Sequence, residues 1–248
     1  MKHATQYSII TNPDFGYAVH GHNLGEAWLG TMCTVLTHGV SEPDESRNRI
    51  AIQSFRIKSD TQRLPDILIE RYAKKENVQA MIDLVFHAPT MRDFDIIPNF
   101  RVGAKSYKTR IEEGDLLGYV VDRLATIPES KKAIMVFPMH EDYRQVRHNH
   151  WNDYLPCIVS IQFRLRPEVQ GVRALNTIFH MRSWNIDQKG AGDLTIMAML
   201  NHIVGEKLAE RTGWHIVPGT IDGFITDVHI YQETMCEAQA TMLEYSKS

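Results

Sequence analysis

A long amphipathic helix between strand-like segments is the feature that most limits what this sequence can fold into. Residues 193–212 place apolar side chains at helical spacing, and Gly213 follows them as a stop signal. The apolar helix positions are Leu194, Met197, Leu200, Val204 and Leu208, and strand-like segments cover residues 157–165, 173–182 and 224–231. Helices and strands therefore belong to one mixed fold.

The rest of the chain extends this mixture, without a linker or an internal repeat. Helices are predicted at 22–38 with Gly39 as the stop, at 64–86, and at 115–126 with Asp115 as the cap, and further strands are predicted at 49–57 and 131–137. The order of the elements lacks the regular βαβ alternation of a doubly wound sheet. We therefore predict an α+β fold, with residues 1–248 as a single domain and one large mixed sheet packed by helices.

Length, charge and cysteine content exclude several classes of protein. The 248 residues carry 27 Lys and Arg against 30 Asp and Glu, and the resulting net charge of −3 does not favour a general nucleic-acid binder. No apolar run approaches the roughly 18 residues of a membrane span, and the N-terminus lacks a signal-peptide core. Three widely spaced cysteines without a CxxC pair argue against a disulfide framework. We expect a cytoplasmic protein without nucleic-acid or membrane partners.

Cys157 is the first candidate for chemistry. It follows Pro156 in the segment LPCIVSIQF, so its thiol is predicted at the mouth of a strand. Most free cysteines are buried small hydrophobes, and spacing alone allows that interpretation here. The alternative, a nucleophile, gains weight from the polar motifs downstream, which are MRSWN (181–185), GAGD (190–193) and DVHIY (227–231).

Taken in order, these motifs resemble the thymidylate synthase superfamily. The series PC(x4)QF, RSW, a helix-opening Asp or Asn, and HxY matches that family over about residues 98–232, and residues 115–134 resemble its helix, basic turn and strand. The RSW motif and the short C-terminus resemble those of the compact branch of the family, which includes archaeal-type synthases and cytidylate hydroxymethylases. The resemblance implies a thymidylate synthase-like fold and one-carbon transfer to C5 of a pyrimidine nucleoside monophosphate.

The resemblance also implies which residues act on the base and the phosphate. Cys157 would add as a thiolate to C6, and this addition makes C5 nucleophilic. Arg182 is placed to favour the thiolate and, with Ser183, to bind the nucleotide phosphate. Lys131 and Lys132 stand where the family has arginines that reach the phosphate of the partner subunit, which implies a homodimer with a shared phosphate site. Without the resemblance, this lysine pair is an ordinary solvated turn.

The resemblance also assigns residues to sugar binding, cofactor binding and proton transfer. His229 and Tyr231 lie two apart on a predicted strand, so they face the same way, and the resemblance implies that they bind a sugar hydroxyl. Gln162 matches the family's active-site glutamine. The implied cofactor is 5,10-methylenetetrahydrofolate, which Asn185 would contact where the family usually has aspartate. Glu70 is the candidate for the general acid/base glutamate.

Asp193 distinguishes between substrates. Thymidylate synthases have asparagine at this position, and its amide pairs with N3–H and O4 of uracil. Cytosine offers the reverse pattern, and a protonated carboxyl group can donate to N3 and accept from the 4-amino group. The cytidylate enzymes of the family carry aspartate here, so the resemblance points to CMP or dCMP. From the residues alone, the alternative is a routine helix N-cap.

Two further sets of residues bear on phosphate and metal binding. The phosphate-loop arginine of the family corresponds to Arg47 or Arg49 in the segment DESRNR. The histidine pairs in HGH (20–22) and RHNHW (147–151) lack an acidic or cysteine partner at ligand spacing, so we predict no metal site.

The prediction drawn from the sequence is 5-hydroxymethylation of CMP or dCMP through a covalent adduct between Cys157 and C6. The first alternative is a thymidylate synthase that methylates dUMP. The second is a non-catalytic nucleotide-binding or regulatory relative, which the departure at Asn185 and the weakly placed glutamate would fit.

Overall fold

The computed structural model describes residues 7–12, 16–44, 47–91, 104–148 and 154–247. The strands of these segments are β1 (Tyr7–Asn12), β2 (Gly16–Gly21), β3 (Val40–Asp44), β4 (Arg47–Ser59), β5 (Ile134–Val136), β6 (Ile158–Leu165), β7 (Val172–Met181), β8 (Trp184–Asn185) and β9 (His215–Tyr231). The helices are α1 (Leu24–His38), α2 (Ile67–Tyr72), α3 (Lys75–Phe86), α4 (Tyr107–Glu113), α5 (Leu116–Thr126), α6 (His140–His148), α7 (Gly190–Thr212) and α8 (Met235–Lys247), with a 3-10 turn at Gln232–Thr234.

All the strands belong to one mixed sheet. Its order is β1-β2-β4-β9-β7-β6-β5, with β3 beside β4 and β8 beside β9. The pairs β2–β4, β7–β9 and β8–β9 are parallel, and the other pairs are antiparallel. The predicted α+β class with one large mixed sheet is therefore confirmed.

The two faces of the sheet differ in what covers them. Helix α1 packs on β2 and β4, and α7 packs on β7 and β9. Because side chains alternate along a strand, Phe55, Phe179 and Ile225 are buried on this side. The opposite face presents three large apolar side chains that remain exposed, namely Val136 (51%), Ile178 (40%) and Phe224 (46%). In the described residues, the main hydrophobic core thus lies on the helix side of the sheet.

The prediction of one continuous helix over residues 64–86 is wrong, because the structure has two helices there. Asp66 caps α2, since its carboxylate accepts from the backbone N–H groups of Leu68 and Ile69 at 3.0 and 3.1 Å. The chain then becomes extended at Ala73, with φ −80° and ψ 149°, before α3 begins. Apolar spacing alone does not reveal this break, because the two helices share one helical pattern.

Neither of the two aspartates that were predicted to open helices caps its helix with its side chain. Asp115 precedes α5, but it has a left-handed backbone with φ 42°, and its side chain makes no capping hydrogen bond. Helix α7 begins at Gly190, so Asp193 lies inside its first turn and is not the cap. The end of α7 at Thr212, followed by a left-handed Gly213, is confirmed. Among the described residues, no helix has the length and hydrophobicity needed to span a bilayer.

Candidate active site

Cys157 and Arg182 meet where β6 begins and β7 ends. These strands are antiparallel, and Ile158 pairs with Met181, so the residues just outside the pair become neighbours. The backbone N–H of Arg182 donates to the carbonyl of Cys157 at 3.0 Å. A guanidinium nitrogen of Arg182 lies 3.9 Å from the Cys157 sulfur. The structure therefore brings together the predicted nucleophile and the predicted activating cation.

The Arg182 side chain is fixed against the chain that leads into β6. Its guanidinium donates to the carbonyls of Pro156 at 3.1 Å and Leu155 at 2.7 Å. The residue is otherwise exposed, the neighbouring Ser183 is partly exposed, and the Cys157 thiol is half-buried. A positive charge is thus held beside a half-buried thiol, and the exposed guanidinium is accessible to an anionic ligand.

Two buried tyrosines, which were not predicted as site residues, lie behind Cys157. The Tyr107 hydroxyl accepts a hydrogen bond from the backbone N–H of Ile158 at 3.1 Å. Burial first, and then the nearby charges of Cys157 and Asp193, raise the pKa of Tyr107 above its usual value. Tyr154 is also buried, and its pKa is raised by burial and by the adjacent Tyr107. Neither tyrosine has a spacing to Cys157 that marks it in the sequence.

Asp193 lies in the first turn of α7. Its side chain is only 2% exposed, and the indole N–H of Trp184 donates to its carboxylate at 3.0 Å. Its backbone N–H makes an ordinary helical bond to Lys189 at 2.8 Å. Because Asp193 contributes no N-cap, capping does not account for this buried carboxyl group. A buried carboxyl group with a fixed orientation is suited to recognising a specific pattern of hydrogen-bond donors and acceptors.

His229 and Tyr231 face the same side of β9, as predicted. Their ring centroids are 4.9 Å apart. Asp227 joins them on this side, and its carboxylate lies 2.9 Å from Nδ1 of His229. Arg49 makes a bidentate pair with Asp227, with distances of 2.8 and 3.0 Å. Burial alone would raise the pKa of Asp227, but the hydrogen bond and charge of His229 and the charge of Arg49 outweigh it and hold the pKa below its usual value.

Both arginines proposed for a phosphate loop bind side chains near His229 and Tyr231. Arg49 also pairs with Glu42 at 2.8 Å and lies 3.7 Å from Asp44. The Arg47 guanidinium stacks 3.5 Å above the ring of Tyr231 and pairs with Glu233 at 3.2 Å. The Tyr231 hydroxyl in turn donates to Asp44. The phosphate role of these arginines therefore stays a prediction, and in the structure they order the groups around His229.

Strand β8 links the end of β7, next to Arg182, to the end of β9 that carries His229. Trp184 pairs with Val228, and Asn185 pairs with His229, so the chain that leaves Arg182 runs directly along the end of β9. The backbone N–H of Ile186 donates to the carbonyl of His229 at 3.1 Å. From there the chain turns into α7 and reaches Asp193. Residues 182–193 thus link the thiol, the buried carboxyl group and the histidine.

The side chains of Asn185 and Gln162 form hydrogen bonds to other residues of the protein. The Asn185 amide donates to the Gln188 side chain at 2.8 Å, and its oxygen accepts from the Gln188 backbone at 3.3 Å. Gln162 donates to the carbonyl of Lys131 at 2.6 Å. Its register with Ile178 places it on the sheet face away from α7. The predicted roles of Asn185 with folate and of Gln162 with substrate stay predictions.

The remaining predicted residues lie outside the Cys157 group. Lys131 and Lys132 are exposed just before β5, at the edge of the sheet. Glu70 is exposed on α2. Among the described residues, the buried glutamate is Glu26, at 3% exposure, which accepts from the backbone N–H of His22 at 2.7 Å at the start of α1.

The histidines of HGH share one carboxylate. His20 and His22 lie 2.7 and 3.0 Å from the two oxygens of Asp60. Within the described part of the chain, no group of three or more His, Cys, Asp or Glu side chains could hold a metal ion. The pair in RHNHW lies partly outside the described residues, because only its first histidine, His148, is placed.

No model of a known protein family matches the sequence, and no curated protein is significantly similar to it. The functional argument therefore depends on the chemistry of the site itself.

Proposed function

We propose that this protein is a cytoplasmic one-carbon transferase that acts at C5 of CMP or dCMP and gives a 5-hydroxymethyl product. The observation that carries the proposal is the position of the Cys157 sulfur, 3.9 Å from the Arg182 guanidinium. Asp193 is the buried carboxyl group at the start of the helix that follows Arg182 in the chain. A nucleophile, a phosphate-binding cation and a base-reading carboxyl group are the three functions that such a reaction requires.

The proposed reaction begins at the thiol. C5 of a pyrimidine is a poor nucleophile until an electron pair is added at C6, and the Cys157 thiolate can supply that pair. The new S–C6 bond pushes electron density onto C5, which can then bond to an electrophilic carbon. Loss of the C5 proton, with cleavage of the bond between the transferred carbon and its carrier, would leave an exocyclic methylene group at C5. Addition of water to this methylene, as the thiolate leaves C6, would give the 5-hydroxymethyl product, restore the aromatic ring and free the enzyme.

Arg182 contributes in two ways. It places a positive charge 3.9 Å from the sulfur of the proposed nucleophile, and its exposed guanidinium can bind the phosphate oxygens of the substrate. Ser183, the next residue, can add a hydroxyl donor to the same phosphate. The carbonyls of Leu155 and Pro156 keep the guanidinium in place, so little side-chain entropy is lost on binding.

Asp193 selects the base in this proposal. Its carboxyl group, when protonated, donates to N3 of cytosine and accepts from the 4-amino group. Uracil presents a donor at N3 and an acceptor at O4, so it meets the wrong partners in a buried site, where an unmatched polar group is costly. Trp184 anchors one carboxylate oxygen and so limits rotation of the group.

The one-carbon donor implied by the resemblance, methylenetetrahydrofolate, supplies a carbon at the oxidation level of formaldehyde when it is bound. Asn185, the residue proposed to contact it, is buried and has both amide atoms bonded to Gln188. As placed, Asn185 supports the turn before α7 and does not present its amide to a ligand. We therefore assign no chemical step to the donor.

We further propose that the protein is a homodimer through the open face of the sheet. Val136, Ile178 and Phe224 form an exposed apolar patch there, which a second copy could cover. Lys131 and Lys132 lie at the edge of this sheet, from which they would reach the phosphate site of the partner. The resemblance motivates this arrangement, and the exposed patch supports it.

The test is a turnover assay on CMP, dCMP and dUMP with methylenetetrahydrofolate as the donor. The proposal predicts tritium release from C5 of CMP or dCMP without formation of dihydrofolate, and loss of release in Cys157→Ala. Turnover of dUMP alone, with dihydrofolate formed, would instead indicate a thymidylate synthase. A protein without turnover whose cellular role survives Cys157→Ala would be a non-catalytic relative.

A further inference from the structure

Asp227 is fixed between an arginine and a histidine near the end of β9. Its two carboxylate oxygens accept from the Arg49 guanidinium at 2.8 and 3.0 Å, and one of them also lies 2.9 Å from Nδ1 of His229. The sheet explains these contacts, because Arg49 lies opposite Tyr231 in the register, and side chains two residues apart on β9 face the same way. Charge-assisted hydrogen bonds thus hold Asp227 in one orientation.

Two side chains compete for Nδ1 of His229. The Asp227 oxygen is nearer, at 2.9 Å, and a guanidinium nitrogen of Arg49 lies 3.3 Å away. A guanidinium only donates and an ionised carboxylate only accepts, so Nδ1 can satisfy one of them at a time. Burial alone would raise the pKa of Asp227, but the hydrogen bond and charge of His229 and the charge of Arg49 hold this pKa below its usual value. The shorter contact to an ionised acceptor therefore places a proton on Nδ1.

The position of Arg49 also bears on the charge of the His229 ring. Its guanidinium already pairs with Asp227, and a positive charge on the ring would lie 3.3 Å from it. Like charges at this distance repel, and a neutral ring avoids the repulsion. In the neutral ring with its proton on Nδ1, the other nitrogen, Nε2, has a lone pair and acts as an acceptor.

Nε2 of His229 is open to a ligand. Within the described residues the hydrogen bonds of this ring are made by Nδ1, and the fully buried atoms that lack a partner do not include Nε2, so solvent reaches it. The Tyr231 ring packs beside His229 at 4.9 Å, and its hydroxyl donates to Asp44 at 2.8 Å. Because the protons of both side chains bind carboxylates of the protein, a hydroxyl that approaches Nε2 has to be the donor.

We infer that Asp227 is a positioning residue that, held by Arg49, keeps the proton of His229 on Nδ1, so that Nε2 accepts a hydrogen bond from a sugar hydroxyl of the substrate. The inference rests on the proposed function, which supplies a nucleotide with such a hydroxyl. It gives the contact a direction, in which the sugar donates and the protein accepts.

The test is the tautomer of His229 in the free protein, read from two-bond ¹H–¹⁵N correlation spectra of protein labelled with ¹⁵N-histidine. The spectra are recorded at about pH 8, where a free imidazole is neutral, and the spectrum of His229→Gln identifies the His229 signals. We expect a protonated Nδ1 and an unprotonated Nε2. In Asp227→Ala, the Arg49 donor is the remaining partner of Nδ1 among the described residues, so the proton should move to Nε2.

Asp222→Ala is the matched control, because it removes another carboxylate of β9, which accepts from the Thr220 hydroxyl at 3.0 Å. It should leave the His229 tautomer unchanged. A wild-type ring with its proton on Nε2 or on both nitrogens would overturn the inference, and so would an Asp227→Ala ring that keeps its proton on Nδ1. If Asp227→Ala does not fold, Asp227→Asn keeps the shape of the side chain and should populate the form protonated on Nε2, since an amide is a weaker acceptor than a carboxylate. A ring that stays wholly protonated on Nδ1 in that variant would contradict the role of Asp227.

Nucleotide binding tests the acceptor role of Nε2. Saturation with CMP or dCMP should move the Nε2 resonance to lower frequency, the direction expected when an unprotonated ring nitrogen accepts a hydrogen bond. The 2′,3′-dideoxy analogue of CMP, which lacks both hydroxyls, should leave this resonance in place. If CMP and dCMP shift other signals of the protein but not that of Nε2, the inference fails while the proposed substrate class stands. If neither nucleotide shifts any signal, the proposed function and the sugar contact both fail, and the tautomer comparison still decides the role of Asp227.

Discussion

Asp193 carries the base selectivity of the proposed reaction, because it is buried in the site and anchored by Trp184. Asp193→Asn replaces a carboxyl group by an amide of nearly the same shape, which matches uracil instead of cytosine. We predict that the ratio of kcat/KM for cytidylates to that for uridylates falls by about 100-fold or more, since buried polar mismatches are costly. Steady-state kinetics with CMP, dCMP, UMP and dUMP measure this ratio.

The control for this prediction is Asp122→Asn, the same chemical change on the exposed surface of α5. It should leave the ratio unchanged. An Asp193→Asn protein that keeps its preference for cytidylates would show that Asp193 does not contact the base.

At the level of single residues, the sequence predicted part of the site. The family resemblance implied that Arg182 lies near Cys157, and the common side of His229 and Tyr231 follows from strand alternation. The tyrosines behind Cys157 have no such pattern, because Tyr107 comes from a separate helix and reaches the site only through the tertiary fold. The role of Asp193 stays a prediction from the resemblance, and its hydrogen bond from Trp184 became known only from the structure.

At the level of elements, the turn after β8 is fixed by a hydrogen bond from α1. The indole N–H of Trp28 donates to the carbonyl of Ile186 at 2.9 Å, and both residues are fully buried. Trp28→Phe removes this donor and leaves the carbonyl without it. We predict a loss of about 2 kcal/mol in the free energy of unfolding, measured by urea denaturation.

Trp214→Phe is the matched control. This partly exposed tryptophan lies just before β9, far along the strand from His229, and its ring contacts Arg173 of β7. Its free energy of unfolding should change by less than that of Trp28→Phe. An equal loss in the two variants would mean that ring size, and not the Trp28 hydrogen bond, determines the effect.

The same turn contains a carboxyl group with an unusual pKa. Burial raises the pKa of Asp187 to about 6, against the opposing effects of a hydrogen bond from Thr234 and the charge of Lys74. A raised pKa means that the folded state binds the proton more tightly than the unfolded state does. The stabilisation is therefore complete below about pH 4 and is lost as the pH rises through about 6.

Asp187→Asn is accordingly predicted to stabilise the protein at alkaline pH and to change little near pH 4. The full pKa shift corresponds to a gain of about 3 kcal/mol above pH 7. Thermal unfolding at several pH values measures it, with Asp122→Asn as the control. Equal effects of Asp187→Asn at both ends of the pH range would contradict the assignment.

Predicted elements matched the structure where one strong pattern bounded them. Helix α1 follows the apolar spacing of residues 22–38 and ends before Gly39, as predicted. The segment 64–86 has the same kind of pattern, yet Asp66 starts a short helix that the extended Ala73 ends. Local caps and backbone conformations decide such breaks, and apolar periodicity does not report them.

For the whole molecule, the sheet has one covered face and one open face, and the proposed dimer uses the open one. If Lys131 and Lys132 complete the partner's phosphate site, two inactive variants can restore each other. Mixing Cys157→Ala subunits with Lys131→Ala/Lys132→Ala subunits should recover about a quarter of the wild-type turnover, because half of the dimers are mixed and each has one intact site.

The control pair is Cys157→Ala with Arg182→Ala. These residues lie 3.9 Å apart in one chain, so no mixed dimer contains an intact site and no turnover should return. Recovery in the control, or its absence in the lysine mixture, would contradict the shared phosphate site.

The α+β class with one mixed sheet could be predicted from the order of helical and strand-like segments, whereas the strand order could not. Strand β4 lies between β2 and β9, and β9 lies between β4 and β7, so the centre of the sheet joins the two ends of the chain. Such pairings depend on long-range packing, and no local pattern in β4 or β9 encodes its partner.

The central claim is that Cys157 adds to C6 of a cytidylate, and the most direct test is exchange of the C5 proton in heavy water. Proton NMR follows the C5–H signal of CMP, dCMP, UMP and dUMP with the protein alone, without a one-carbon donor. The account predicts exchange at C5 of CMP or dCMP that disappears in Cys157→Ala. Exchange that persists in Cys157→Ala, or a C5–H signal retained in all four nucleotides, would contradict it.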